Sequence, residues 1–205
     1  MPLAPLYDVE ARSVRSAVDC RRQEFQAGRT CARHAFMALG LQPQPIPVGP
    51  DRAPIWPPGF TGSISHSKTY CVAAVGRCSP HLASIGVDIE CDDAVEPALA
   101  SEICLPQERD WIERQPPIDQ RRLLTAIFSA KECVYKCQYG LTGTLLGFEA
   151  LSIELNPDSG VFSAVFQRPL PPFSNAGRLV GRFRFVHGHV VTAMILPLSN
   201  PTLLV

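Results

Sequence analysis

The chain has 205 residues, 46% of them hydrophobic and 19% charged, a composition that supports a packed core and excludes extended disorder. Nineteen basic and nineteen acidic residues cancel, so no global charge points to nucleic acid or an anionic membrane, and any anionic ligand must be met by a local basic patch. Apolar runs such as residues 190–198 stop well short of the ~18 residues of a membrane span, and the start lacks the basic-then-apolar layout of a secretory signal, which predicts a cytoplasmic protein.

Residues 9–39 read as two helical stretches broken near Gly28, the second closed by Gly40, with Arg29 and Arg33 one turn apart on a common face. Recurring prolines over 43–58 predict an ordered surface loop anchored by Ile46, Val48, Ile55 and Trp56. Short β-branched runs at 70–75 and 83–90 read as strands separated by a turn over 77–81. A short helix over 106–113 precedes a longer one from Asp119, a residue suited to an N-cap, to Tyr139, ended by Gly140. Strands at 151–155, 161–166, 179–185 and 190–196 complete the chain, with His187-Gly188 as a hairpin turn. Helices, strands, helices, strands in that order predict an α+β protein of two similar lobes joined near residues 92–97. The eight cysteines are scattered without a Cys-x-x-Cys pair and read as reduced thiols, mostly small core residues. Cys133 and Cys137 stand one helical turn apart, but no neighbouring His or Cys couple completes a zinc site.

In the 83–90 strand, Ile85, Val87 and Ile89 point one way and Gly86, Asp88 and Glu90 the other. Two like charges on one face of an apolar strand need donors or a cation to compensate them. Mg²⁺ would do so, since it takes one or two carboxylates with substrate phosphates and water, and the glycine leaves room for the ligand. Spacing alone is met more readily by two carboxylates at the solvated end of an edge strand. On the long helix, Glu132 and Lys136 lie one turn apart between Phe128, Val134 and Tyr135, so a charged stripe runs inside an apolar surround, as in a cleft wall. A capping box from Ser129 to Glu132 is opposed by the apolar periodicity of Leu123, Leu124, Ile127 and Phe128, which starts the helix earlier.

Gly86-Val87-Asp88-Ile89-Glu90, followed by Phe128-Ser129-Ala130-Lys131-Glu132-x-x-Tyr135-Lys136, resembles the paired signature of the phosphopantetheinyl transferase superfamily. Trp56-Pro57-Pro58-Gly59-x-x-Gly62-Ser63-Ile64-Ser65-His66-Ser67 and Gly28-Arg29-x-Cys31-Ala32-Arg33-x-Ala35 extend the resemblance to its longer, single-chain class, in the branch that includes the enterobactin-synthetase component. The resemblance implies two pseudo-repeated lobes, each a small, mostly antiparallel sheet packed with helices. Lobe 1–95 would carry the arginines and the Asp-x-Glu strand, lobe 96–205 the Glu132/Lys136 helix, and the active site would lie between them.

The same resemblance implies that Asp88, Glu90 and Glu132 hold Mg²⁺ on the pyrophosphate of coenzyme A, with Glu132 also the general base for a carrier serine. Lys136 would stabilise the departing 3′,5′-ADP, with Lys131 as a second candidate. Ser65 and His66 would contact phosphate, Arg29 and Arg33 would anchor the adenosine 3′-phosphate, and Arg52 is a further candidate in that loop. Taken alone, His66 reads as a structural histidine and Arg29 and Arg33 as a solvated helix face. Ile89 points away, so water or a substrate oxygen must fill the remaining metal position. The implied partners are coenzyme A and an acyl or peptidyl carrier protein, a small acidic domain met by surface near residues 107–114, and family analogy implies a monomer. Two other readings use the same residues. A coenzyme A or nucleotide-binding module would not need all three acids, and a Mg²⁺-dependent phosphohydrolase lacks a visible nucleophile motif.

Overall fold

The computed structural model describes residues 2–173 and 177–198, so residues 199–205 of the expected second lobe lie outside the description. Helices α1 (Asp8–Ser13) and α2 (Asp19–Ala38) precede the hairpin β1 (Phe60–His66) and β2 (Cys71–Arg77). Strand β3 (Ser84–Cys91) follows, then α3 (Ala100–Ile103), α4 (Pro106–Glu113) and α5 (Pro117–Thr142). Strands β4 (Leu151–Asn156), β5 (Val161–Phe166), β6 (Arg178–Val186) and β7 (His189–Leu196) end the order. The fold is α+β with antiparallel sheets packed with helices: β1 and β2 form a two-stranded sheet, and the other five strands a sheet ordered β3-β7-β6-β5-β4.

α5 covers the inner face of the larger sheet. Leu123, Leu124, Ile127, Ala130, Cys133 and Val134 of the helix bury against Phe162, Phe166, Phe183, Val190 and Met194, giving the main core. A smaller core gathers Ala32, Phe36 and Ile46 with Trp56, Phe60, Ile64 and Val75. None of the eight cysteines is in a disulfide, and Cys104, Cys133 and Cys137 are buried apolar filler. Among the described residues, no helix is long and apolar enough to cross a membrane.

Three elements differ from the expected ones, each for a packing reason. Gly28 does not break α2, which runs through it; a Cβ there would stand 2.8 Å from Ile64 Cγ2, so the glycine lets the helix press on β1. The break falls earlier, over residues 14–18. Gly140 does not end α5 either, and the helix stops at Gly143, whose φ of 62° supplies a left-handed cap. Strand β1 has no β-branched run to announce it. Its buried Ser63 faces β3, where Val87 N donates to Ser63 Oγ at 3.1 Å and Ser63 Oγ donates to Val87 O at 3.5 Å. The serine thus satisfies backbone groups on a strand that, among the described residues, has no ladder partner on that side.

Candidate active site

Gly86 sets the geometry. It lies on the inner face of β3, and a Cβ added there would fall 2.1 Å from Cys133 O, so only glycine lets α5 lie this close to the strand. The room expected for a ligand is taken by the helix backbone. Ser84 Oγ donates to Cys137 O at 2.6 Å and Cys133 Sγ donates to Gly86 O at 3.3 Å, which fix the register between strand and helix. At the next strand face, Ser129 Oγ and Thr192 Oγ1 lie 3.0 Å apart, so the motif serine docks α5 on β7 rather than capping it.

That close approach brings Lys136 to Asp88. Lys136 Nζ donates to Asp88 Oδ1 at 2.6 Å and to Ser65 Oγ at 2.9 Å, while Ser65 Oγ donates to Asp88 Oδ1 at 2.7 Å. Asp88 is 1% exposed, and among the described residues its buried Oδ2 has no hydrogen-bond partner. A buried carboxylate oxygen with no donor is costly unless something positive meets it. Glu90 and Glu132 line the same cleft of about 440 Å³. Burial, then the neighbouring Asp88, pushes the Glu90 carboxyl from 4.5 up to about 7, with Lys136 opposing and Glu132 adding. Burial also raises Glu132, against the pull of Lys136.

These acids fit a divalent cation. Among the described residues no three such side chains form a closed cage, and Lys136 already occupies one oxygen of Asp88. Mg²⁺ does not require a cage, because phosphates and water complete its shell. A raised carboxyl pKa means that the folded state holds its proton longer than the unfolded chain does. The stability linked to Glu90 is therefore present below pH 4.5 and lost as pH rises through about 7 in the cation-free protein. We expect Mg²⁺ to raise the melting temperature more at pH 8 than at pH 5.5, and Glu90→Gln to flatten that difference; thermal denaturation with and without chelator measures both.

At the other end of the cleft stand cations. Arg29 lies over the Phe25 ring at 4.1 Å and donates from Nε to Ile46 O at 2.8 Å. Burial lowers its pKa to about 10, which leaves it charged at neutral pH. Arg52 and His66 line the same cleft. Arg21, absent from the residues singled out in the sequence, joins them: its Nη1 is 3.1 Å from His66 Nε2, which must accept there, and 3.1 Å from Glu24 Oε2. Arg21, Phe25 and Arg29 recur every fourth residue along one face of α2, a stripe hidden by the supposed break at Gly28.

Two expected residues lie elsewhere. Arg33 is not among the groups lining the cleft; it is buried against Glu10, donates to Pro5 O, and stacks over Tyr7 at 4.2 Å. Glu10 in turn accepts from Ile46 N at 2.9 Å and Tyr7 N at 2.9 Å, so this pair ties the N-terminal segment to α2. Lys131 points from α5 away from the cleft into the interior, where Nζ meets Glu108 Oε2 at 2.8 Å, Ile103 O at 2.8 Å and Phe148 O at 3.0 Å. One step along a helix turns a side chain by about 100°, enough to separate it from Glu132.

Two family models and several curated relatives match the chain. Residues 9–76 match the 4'-phosphopantetheinyl transferase N-terminal domain, and residues 84–192 match the 4'-phosphopantetheinyl transferase superfamily. The chain is 38% identical over 201 residues to 4'-phosphopantetheinyl transferase Svp of Streptomyces mobaraensis, covering 94% of this chain and 79% of that one. It is 36% identical over 205 residues to 4'-phosphopantetheinyl transferase PptT of Mycobacterium tuberculosis, covering 95% and 87%. Enterobactin synthase component D of Salmonella typhi is 36% identical over 142 residues, covering 68% and 57%. The chain belongs to the 4'-phosphopantetheinyl transferase superfamily.

Proposed function

We propose that this protein transfers the 4′-phosphopantetheine arm of coenzyme A to a serine of an apo acyl or peptidyl carrier protein and releases 3′,5′-ADP. The observation that carries the reading is one cleft with a carboxylate end, Asp88, Glu90 and Glu132, and a cationic end, Arg21, Arg29 and Arg52 beside His66. A pyrophosphate bearing a further phosphate on its adenosine presents anionic charge at two separated places. The cleft offers each a complementary partner, a cation at the acids and guanidinium groups beyond.

Asp88, Glu90 and Glu132 would hold Mg²⁺, which would neutralise pyrophosphate charge and polarise the phosphorus under attack. Glu132 takes the proton of the carrier serine hydroxyl as its oxygen bonds to the pantetheine-side phosphorus, and burial raises its carboxyl, which makes it a stronger base. The phosphorus–oxygen bond to the adenosine side breaks, and the electron pair leaves on 3′,5′-ADP, whose charge Lys136 stabilises. Ser65 keeps Lys136 oriented. Arg29, with Arg21, Arg52 and His66, holds the adenosine phosphate, and positioning supplies much of the acceleration. We assign the chain to two cooperating lobes, 1–95 and 96–205, with this cleft between them, and to a cytoplasmic monomer.

Chromatographic assay of 3′,5′-ADP separates this chemistry from hydrolysis. Release is expected only when apo carrier and Mg²⁺ accompany coenzyme A; release without carrier would indicate a phosphohydrolase instead.

A further inference from the structure

The loop that carries Arg52 is joined to α5 by one contact that the chemistry above does not use. Tyr139 Oη donates to Asp51 Oδ2 at 2.8 Å, linking residues 88 positions apart. Tyr139 continues the stripe of Glu132, Tyr135 and Lys136 along α5 at the i, i+3, i+4, i+7 spacing of one helix face. Its ring lies 5.7 Å from that of Tyr135.

On the loop side, Asp51 Oδ1 accepts from Ala53 N at 3.1 Å, while Gly49 N donates to Ala53 O at 2.8 Å and Arg52 N to Gly49 O at 2.9 Å. The carboxylate therefore grips its own turn and the helix together. Between Asp51 and Ala53, Arg52 has a φ of 69°, the left-handed region that is unfavourable for a residue with a Cβ. Pro47, Pro50 and Pro54 remove backbone donors nearby, so side-chain contacts carry much of what fixes this segment. Arg52 lines both the phosphate-binding cleft and a second cavity of about 540 Å³ walled by Trp56, Phe60, Tyr135 and Tyr139. It stands at the seam between them.

We propose that Tyr139 and Asp51 form a latch that fastens the Arg52 loop to the catalytic helix and presents the guanidinium, already oriented, to an anionic oxygen of coenzyme A. Tyr139 is a positioning residue that acts through Asp51 on Arg52, and the inference rests on the transferase reading above. Without the latch, a loop in a left-handed conformation and a long side chain must both be ordered on binding, and ordering costs affinity. The hydrogen bond also lowers the Asp51 carboxyl below its ordinary range and raises the Tyr139 hydroxyl above its own, as a bond from a neutral hydroxyl to an ionised carboxylate does.

The test compares wild type, Tyr139→Phe, Asp51→Asn, Arg52→Ala and the Tyr139→Phe/Arg52→Ala double variant, by calorimetric binding of coenzyme A and steady-state carrier modification. Tyr139→Phe should raise Kd and KM for coenzyme A about two- to threefold, the low end for a hydrogen bond because this one is open to solvent, with the loss confined to those constants and KM for the carrier unchanged. Asp51→Asn keeps one acceptor oxygen where the carboxylate uses two, one for Ala53 N and one for Tyr139 Oη, so it breaks one side of the grip and should lose about as much as Tyr139→Phe. In the Arg52→Ala background, Tyr139→Phe should add nothing. An undiminished Tyr139→Phe effect without Arg52, or a Tyr139→Phe protein that binds coenzyme A as wild type does, overturns the latch. Wild type that binds coenzyme A but modifies no carrier overturns the transferase reading alone, and the Kd values still decide the latch.

Discussion

Glu132→Gln should leave a folded protein that binds coenzyme A and no longer modifies a carrier, with kcat lower by about 10²–10⁴-fold, the range expected for loss of a general base. Glutamine keeps the volume and one acceptor oxygen but cannot take a proton and is a poor partner for a hard cation. Burial raises the Glu132 carboxyl, Lys136 opposes that and Asp88 adds to it, so its charge is held at a cost. Neutralising it should therefore leave the melting temperature unchanged or raise it. Calorimetry with coenzyme A, single-turnover carrier modification and thermal denaturation read the three quantities separately. A variant that lost stability as well as rate would make Glu132 a structural acid.

Its neighbour should behave in the opposite way. Lys131→Met should destabilise the protein by about 3–5 kcal/mol, because removing one partner of a buried pair leaves the other charge uncompensated. Lys131 and Glu108 are 1% and 3% exposed. Glu108 is a hub: it accepts Leu105 N at 2.6 Å at the start of α4 and Ile153 N at 2.6 Å on β4, besides its bond to Lys131. The lysine thereby ties α5 to α4 and β4. Such a loss is a large part of the about 5–15 kcal/mol that holds a typical domain. Urea unfolding should show a lower midpoint with an unchanged slope. Lys131→Met combined with Glu108→Gln should recover part of the loss, since an amide still accepts a backbone N–H and carries no buried charge. An activity defect at native stability would instead place Lys131 in the chemistry.

The contrast between two adjacent residues shows where sequence reading stops. The strand 83–90, the helix 106–113 and the four C-terminal strands were legible because alternation and periodicity are local properties. So were Asp88, Glu90, Glu132 and Lys136, which share faces fixed by regular geometry and match a known signature. Lys131 lies in that signature too, yet its role depends on Glu108, a partner on another helix that no spacing reveals. Arg29 and Arg33 stand one turn apart on α2, but spacing does not show what each meets. The helix is continuous, Arg33 is drawn to Glu10, and the cationic face runs back to Arg21. Strand β1 was hidden because its serines serve β3 instead of filling a core. At Gly86 the sequence predicts space for a ligand, whereas that space admits the Cys133 backbone of α5.

The most direct test of the transferase assignment is the intact mass of an apo carrier protein incubated with this protein, coenzyme A and Mg²⁺. The expected result is a gain of one phosphopantetheine arm on the carrier serine, absent with chelator and absent with Glu132→Gln. Unmodified acyl and peptidyl carriers, from a protein that still binds coenzyme A, would contradict the assignment and leave a coenzyme A-binding module in its place.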